Sequence, residues 1–461
     1  MDKNNVEVNI MKIVLIGTGK VGKTIIKHIS KEGHDLCIID KNPKIVNELV
    51  NKFDIIGLSG NGASLEVQKK AEIDKADLVI ACTSSDEANI LACLVAKKIG
   101  AKNTIARIRN REYFSQVQMM KKDLGLSMII NPELEAANEI VRMLDFPQAL
   151  KIDNFSRGRI NLVEIYVSDD SPLVGETLYA IRQKYGVQVL VCAAQRGEEV
   201  LIPRGDFVVE GKDILHITGT RSELIAFLDQ LGLIKSKISS VLLIGGGKIS
   251  NYLGERLIGS KYKLKIVEKD EKRCLELSEQ FPKAVVICGD GTDQDLLKEE
   301  GIEYVNACIS LTGIDEENII TAMYASKQGV KKVISKVNRD SFVGMLESTG
   351  VASVVSPKNI AANRVVRYVR ALSGSTGSNA VTLYKIANNQ VEALEFVVSS
   401  DSKCLNIPLK DLKLKKGILI AAIIHNNETK IPGAMDFFQE NDSVIVITNY
   451  HQLKTLDDIL A

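Results

Sequence analysis

Apolar residues in this chain come in two formats: short unbroken runs of four or five, and longer stretches in which they recur every three or four positions. Ile13-Val14-Leu15-Ile16 is a run of the first kind, as expected of a strand buried on both faces. It feeds Gly17-Thr18-Gly19-Lys20-Val21-Gly22 and a helix-periodic stretch, after which Ile38-Ile39 ends on Asp40. Asn42-Pro43-Lys44 opens a helix to about Asn51, and Ile55–Leu58, Leu78–Ala81 and Thr104–Ile108 read as further strands, with helices over Leu65–Ala71 and Asn89–Ile99 between them. This alternation predicts α/β architecture with a Rossmann-like doubly wound parallel sheet.

A further helical run, Glu133–Leu144, follows Asn131-Pro132. Leu134, Ala137, Ile140, Val141 and Leu144 form one apolar stripe on it. The stripe falls after the sheet should be complete, so it needs another surface, for which a neighbouring subunit is a candidate. From about Asp145 the pattern changes to strand-like segments at Arg159–Val167, Val187–Ala194 and Ile214–Thr218, a short helix within Leu173–Tyr185 and a last one over Glu223–Leu231. This predicts a small α+β module without a glycine-rich loop.

The whole arrangement then recurs. Val241-Leu-Leu-Ile244 feeds Gly245-Gly246-Gly247-Lys248-Ile249-Ser250, 228 positions after the first turn, and Leu264–Val267 ends on Glu268. First glycine and acid are 23 residues apart in both copies. Gly289-Asp290-Gly291-Thr292 stands where Gly60-Asn61-Gly62-Ala63 stood, Asp315, Glu316 and Asn318 stand for Asp86, Glu87 and Asn89, and Lys336 lies opposite Arg107. Ser373–Asn379 reads as a linker before a second small module. The expected organisation is A-B-A-B, with bounds 11–144, 145–232, 238–372 and 380–461.

A lone GxGxxG is weak evidence, but two such turns with matched strands and acids point to one chemistry. Gly17 permits the tight turn, Gly19 lets the backbone approach a pyrophosphate, Gly22 lets the helix pack close to the sheet, and the helix amino terminus faces the phosphates. Asp40 and Glu268 would accept from an adenosine ribose and repel a 2′-phosphate, favouring NAD or NADH over NADP. ATP and ADP offer the same ribose diol and stay open. Thr83 and Ser84, just past the fourth strand, are placed either beside a ligand or as helix caps. Arg107 and Arg109 would share a face if the strand continued that far, either meeting phosphate charge or standing at a solvated edge. Two departures separate the copies. Ser250 replaces the third glycine, which should loosen that helix against its sheet, and Asn61 stands where the second copy has Asp290.

Composition narrows the function classes. Of 461 residues, 45% are hydrophobic and 25% charged, and 59 Lys plus Arg against 58 Asp plus Glu leave a formal charge of +1, so no global field collects nucleic acid. No apolar run approaches the roughly 18 to 20 residues a bilayer crossing needs, so association with a membrane would go through a partner. The eight cysteines occur singly with no CxxC, which fits buried thiols in a reducing compartment and argues against zinc. The first ten residues are polar, and Met11 is an alternative start to Met1. None of the five histidines, His28, His34, His216, His425 and His451, is matched by a histidine in the other copy. A dehydrogenase would need an acid or base beside the nicotinamide, and no duplicated residue offers one. Two nucleotide folds, each with a small module, fit better as a device whose poses a ligand biases. An NAD-dependent oxidoreductase and a non-catalytic interaction protein are the alternatives.

The full order, Gly17–Gly22 with Asp40, Gly245–Gly247 with Glu268, Gly289–Thr292, the paired acid-and-asparagine helix starts and a small module after each nucleotide domain, resembles the TrkA family. These are cytoplasmic regulatory subunits of Trk-type potassium uptake, built from two tandem domains that regulate potassium conductance (RCK domains). The resemblance covers essentially everything after the first ten residues. It implies a protein on the inner face of the membrane, assembled as a ring of four chains beneath an integral-membrane potassium-translocating subunit, with NAD(H) or adenine nucleotides adjusting transport. On that resemblance Gly17, Thr18, Gly19, Lys20 and Val21 hold pyrophosphate, Asp40 the ribose, Thr83 and Ser84 the strand edge and Arg107 the phosphate side. Gly245, Gly246, Gly247, Lys248, Ile249, Glu268, Leu311, Thr312 and Lys336 are the second set.

Overall fold

The computed structural model describes residues 10–146, 151–155, 159–233, 238–259, 262–349, 352–374, 380–386, 390–426, 428–450, 453 and 455–461. Met1, His451 and positions 375–379 of the expected linker lie outside them, whereas Met11 lies within them.

The first copy runs β1 (Lys12–Ile16), α1 (Lys20–Ile29), β2 (Asp35–Asp40), α2 (Pro43–Phe53), β3 (Ile56–Ser59), α3 (Leu65–Lys70), β4 (Leu78–Ala81), α4 (Asp86–Ile99), β5 (Asn103–Arg107), α5 (Arg111–Met119), β6 (Met128–Ile130) and α6 (Pro132–Asp145). Its six strands form one sheet in the order β3-β2-β1-β4-β5-β6, every pair parallel. Ile13, Val14 and Leu15 are fully buried, which is why β1 reads as an uninterrupted apolar run at the sheet's centre, whereas the edge strand β3 is half-exposed. The helix starts are written locally: Pro43 follows Asn42, whose side chain accepts the Lys44 N–H at 3.0 Å, and Ser85 caps α4 by accepting from Ala88 at 3.1 Å. Three-residue β6 carries too little pattern to stand out in the sequence.

A small module follows as β7 (Lys151–Phe155), β8 (Ile160–Tyr166), α7 (Leu178–Tyr185), β9 (Val189–Arg196), β10 (Glu199–Leu201), β11 (Ile214–Gly219) and α8 (Arg221–Gln230), its antiparallel sheet ordered β10-β9-β11-β8-β7. The second copy comprises β12 (Ser240–Ile244), α9 (Lys248–Leu257), β13 (Lys263–Glu268), α10 (Glu271–Gln280), β14 (Val285–Cys288), α11 (Gln294–Glu299), β15 (Ala307–Ser310), α12 (Asp315–Lys327), β16 (Lys332–Lys336), α13 (Asp340–Thr349), β17 (Ser353–Val355) and α14 (Pro357–Gly374). Its parallel sheet, β14-β13-β12-β15-β16-β17, repeats the first. The chain closes with β18 (Ala380–Ile386), β19 (Val391–Val397), β20 (Ile418–His425), β21 (Glu428–Lys430) and β22 (Ser443–Thr448) as a second antiparallel sheet. The fold is therefore two Rossmann-like parallel sheets, each followed by a small α+β module.

Two compact units result, and each collects like with like. One takes the chain up to Leu144 together with Ile238–Val366, the other Asp145–Lys237 together with Arg367–Ala461. Within the first, the apolar stripe of α6 finds its surface in the same chain. Ala136, Ala137, Ile140 and Leu144 are buried in one cluster with Val241 and Leu243 of β12 and Ile249, Leu253 and Leu257 of α9. A neighbouring subunit is not needed to cover it. Asn131 Nδ2 donates to Tyr252 Oη at 2.9 Å in the same contact. Within the second unit, Ile160, Leu162, Cys192 and Ala193 of the first module share a core with Val391, Ala393, Ala421, Ala422, Ile445 and Ile447 of the other.

Candidate functional site

Both glycine turns sit where β1 and β12 reach the carboxyl edge of their sheets. Gly17 and Gly245 adopt φ of +92° and +100°, a region side chains disfavour, and their N–H groups donate to Ile39 and Val267 at 2.8 Å, tying each turn to the neighbouring strand. Gly19 and Gly247 differ in kind. Their φ values, −67° and −73°, are ordinary, and no atom lies within 4 Å of where a Cβ would be built. Neither backbone strain nor internal packing requires glycine there. They cap α1 and α9 without any side-chain acceptor, and neither first turn carries an acidic residue. α2, α4 and α10, by contrast, are capped by Asn42, Ser85 and Asp270. The two helix starts thus present open backbone donors and the positive end of the helix dipole to an empty approach, the arrangement that receives a diphosphate.

The acids close the other side. Asp40 Oδ2 accepts from the Thr18 N–H and hydroxyl, both at 2.7 Å, and Oδ1 accepts from Asn42 at 3.0 Å. Burial pushes this carboxyl up, but the Thr18 and Asn42 amides and the Thr18 hydroxyl outweigh it, and the net shift is downward. Glu268 repeats the arrangement through Gly246 at 2.6 Å and the Lys269 and Asp270 amides at 2.7 and 2.9 Å. Each carboxylate is fixed beside the turn, with lone pairs left for a sugar diol.

The β4 and β15 edges hold the remaining residues. Thr83 gives its N–H to Asn89 Oδ1 at 2.8 Å and its hydroxyl lies 2.7 Å from the same oxygen, while Asn89 Nδ2 donates to Arg107 O at 2.8 Å. Asn318 does the same between Thr312 and Lys336, at 2.7 and 3.0 Å. These fully buried asparagines clamp the ends of neighbouring strands, a duty that hydropathy could not single out. Capping belongs to Ser85, which leaves Ser84 exposed at the edge. Thr312 is the counterpart of Thr83 and not of Ser84; Leu311 matches Cys82, since their amides donate to Ile244 and Ile16.

Arg107 and Arg109 hold different partners. Asp86 Oδ2 captures the Arg109 and Asn110 amides at 2.8 and 2.6 Å, turning the chain as β5 ends, and the Arg109 guanidinium pairs with Glu133 at 2.7 Å. Arg107 instead lies under the β4 edge, with Nη1 at 3.5 and 3.4 Å from the Cys82 and Thr83 carbonyls and Nε buried without a protein partner. Lys336 Nζ reaches Leu311 O at 3.2 Å in the matching place. Burial, and for Arg107 the neighbouring Arg109, lowers the pKa of both cations.

The second cleft also holds residues the sequence reading missed. Arg273 of α10 donates from Nε to Gly246 O at 2.9 Å and pairs with Asn251, so a guanidinium spans the turn. Ile45 stands at the matching position of the first copy, so no repeat comparison could flag it. Lys269 pairs with Asp290 at 2.7 Å, and that lysine, then the Thr292 hydroxyl and amide, hold Asp290 far below the usual carboxylate range. Ser250 is fully buried, and its hydroxyl donates to Gly245 O, so the residue expected to loosen α9 tethers it to the turn. A cavity of about 770 Å³ starts at Lys20 and follows α1 past Lys23, Lys27 and Lys31. On its far wall Asp340 accepts from Lys358 and Lys27 at 2.9 and 3.0 Å, which holds its carboxyl at about 2. Among the described residues no group of three or more His, Cys, Asp or Glu is placed to hold a metal, and no helix is long and apolar enough to cross a membrane.

Known proteins share this plan. A family profile described as the TrkA-N domain matches residues 13–132 and 241–357, and one described as the TrkA-C domain matches 162–232 and 393–461. "Trk system potassium uptake protein TrkA homolog 1" of Methanosarcina mazei is 32% identical over 95% of this chain and 97% of its own length. "Trk system potassium uptake protein TrkA" of Vibrio alginolyticus is 29% identical over 95% of both chains. Among solved structures, the GsuK RCK domain aligns with a TM-score of 0.61 at 17% identity, covering 98% of this chain and 94% of that one. The GsuK channel bound to NAD gives 0.60 at 18%, covering 100% and 80%. The structural likenesses establish the fold, and the sequence matches, spanning both copies of both domains, place the chain in the TrkA family of tandem TrkA-N and TrkA-C proteins.

Proposed function

We propose that this protein is a nucleotide-sensing regulatory subunit that binds NAD or NADH, and ADP or ATP in competition, and controls potassium flux through a separate integral-membrane translocating subunit. The observation that carries the reading is the pair of uncapped helix starts at Gly19 and Gly247, where glycine answers no need of the protein's own backbone or packing. With Asp40 and Glu268 fixed beside them, each cleft offers donors for a diphosphate and an acceptor for a ribose diol. Relatives carrying the name of a Trk potassium uptake protein, and a structural neighbour solved with NAD, support the ligand class and the process.

In this reading the protein works on the inner face of the membrane, held there by its partner, as a ring of four chains with no part in nucleic-acid binding. Residues 11–144 and 238–372 act as the sensing domains and 145–232 and 380–461 as the modules that follow them. Gly17, Thr18, Gly19, Lys20, Val21 and Gly22 surround the pyrophosphate of the first site, with Asp40 on the ribose and Thr83, Ser84 and Arg107 at the edge. Gly245–Ile249, Glu268, Leu311, Thr312 and Lys336 do the same in the second.

The test is direct. Denaturing the purified protein should release an adenine nucleotide identifiable by mass spectrometry, and calorimetry on the stripped protein should show NADH bound more tightly than NADPH. Absence of binding at both clefts overturns the reading, as does turnover of NADH with a substrate at enzyme-like rates. Co-purification from membranes with a potassium-translocating protein tests the partner.

A further inference from the structure

Two thiols flank the acid of the second cleft. Cys288 ends β14 directly beside Glu268 in the parallel register and is exposed, whereas Cys274, one turn into α10, is 7% exposed and lies 3.2 Å from the Glu268 carbonyl. Both thiols therefore flank Glu268, and burial followed by the neighbouring Cys288 thiol pushes Cys274 up to about 11. The surrounding contacts lead to the nucleotide turn. Arg273, the residue before Cys274, holds Gly246 O at 2.9 Å, and the Glu268 carboxylate holds Gly246 N at 2.6 Å. The first copy has Val46 and Ser59 at these two places, with Asp40 facing Ser59 in the same register. Cys82 and Cys93 also neighbour one another, but at 1% and 0% exposure neither sulfur meets solvent.

We propose that Cys274 and Cys288 are a thiol-modification site, closed to a reversible disulfide by a peroxide, and that closure weakens nucleotide binding in the second cleft alone. The Cys288 thiolate attacks one peroxide oxygen, the O–O bond breaks, and hydroxide leaves behind a sulfenic acid. The Cys274 sulfur then attacks the Cys288 sulfur, the S–O bond breaks, and the departing oxygen takes the Cys274 proton as water. Two thiols lose two electrons, and one peroxide becomes two waters. A disulfide holds its Cα atoms about 4.4–6.8 Å apart and fixes the torsion between them. It therefore removes the Cys274 hydrogen bond to Glu268, draws α10 onto the end of β14, and moves Arg273 and Glu268 off the turn they hold.

The effect on binding rests on the nucleotide reading above; the disulfide does not. The experiment uses the full-length protein carrying Gly19→Asp, which blocks the first cleft, and a sister protein carrying Gly247→Asp, which blocks the second. Each is treated with hydrogen peroxide, alkylated and peptide-mapped, and ADP affinity is measured before treatment, after it, and after dithiothreitol. The expected result is a 274–288 cross-linked peptide in the Gly19→Asp protein. Its ADP affinity should fall roughly tenfold and recover on reduction, with no loss when Cys288→Ser is added. The Gly247→Asp protein should keep its affinity throughout. No cross-linked peptide, equal affinity in the two redox states, or a loss that persists with Cys288→Ser overturns the proposal. Reduced wild-type protein that binds ADP at neither cleft overturns the nucleotide reading, while a cross-linked peptide still upholds the thiol site.

Discussion

At the first turn the residue between the two nearest glycines is Thr18, and its amide and hydroxyl both bond Asp40; at the second it is Gly246, which gives Glu268 an amide alone. A Cβ at Gly246 would come within 2.4 Å of Leu277 Cδ1, so the threonine of the first turn would require the buried Leu277 side chain to shift in the second. It gains Arg273 across the turn instead, and Ser250 where the first copy keeps Gly22. The two clefts preserve the backbone that faces a diphosphate, together with Lys20 and Lys248 and with Thr83 and Thr312, and differ in several of the other side chains that surround it. Duplication has kept the phosphate geometry and let the rim diverge, so the two sites should differ in affinity and selectivity more than in ligand class.

The strongest way to break this equivalence is Gly19→Asp. A Cβ there meets nothing within 4 Å, so the thermal midpoint should stay put, while a carboxylate in the diphosphate approach should cost the first cleft on the order of a hundredfold in ADP affinity and leave the second untouched. A comparable loss at both clefts in calorimetry would show that they are not independent. Next in size is Asp40→Ala. A charged hydrogen bond contributes about 1.5–3 kcal/mol, so NADH should weaken roughly tenfold to a hundredfold at the first site, with discrimination against NADPH relaxed. Unchanged titrations with both dinucleotides would remove Asp40 from the ribose.

Packing supplies the third contrast. A Cβ on Gly22 would stand 2.2 Å from Gly17 O, so Gly22→Ala should cost about 1–3 kcal/mol and lower the thermal midpoint. Gly22→Ser should cost less, because Ser250 shows how a hydroxyl converts that approach into a hydrogen bond to the turn. Equal losses for both variants would mean that α1 cannot adopt the arrangement of α9. Smallest is Arg273→Ala, expected to weaken only the second cleft, about fivefold, by removing one partly exposed cation near the phosphates.

Acid should separate the wild type from Asp40→Asn. The folded pKa of Asp40 is lowered from its ordinary 3.8, so its stabilising contribution is complete above that value and is lost as pH falls through the lower folded one. The urea midpoints of the two proteins should differ by a constant amount from neutrality to about pH 5 and converge below pH 4. A gap that closes above pH 5 would contradict the downward shift.

Much of this was legible in the chain. Runs such as Ile13–Ile16 and Val241–Ile244 mark central parallel strands because burial on both faces leaves no polar alternation, and the glycine turns mark themselves through backbone need. What escaped was carried by single side chains reaching across elements. Arg273 acts on a residue 27 positions away, and nothing in its own surroundings signals the contact. The buried clamps Asn89 and Asn318 stood out as repeated residues, yet their partners are backbone atoms of other strands, which no periodicity encodes. The end of the strand before Arg109 is marked by Asp86 catching two amides beyond it, a choice fixed only in three dimensions.

The burial of α6 against α9 bears on how such a chain could be divided. Cut after residue 144, the amino-terminal fragment would carry Ala136, Ala137, Ile140 and Leu144 bare to water, and it should pair with another copy of itself or precipitate, which sedimentation of the fragment would reveal. Carrying both copies in one chain makes the contact of α6 with α9 independent of concentration.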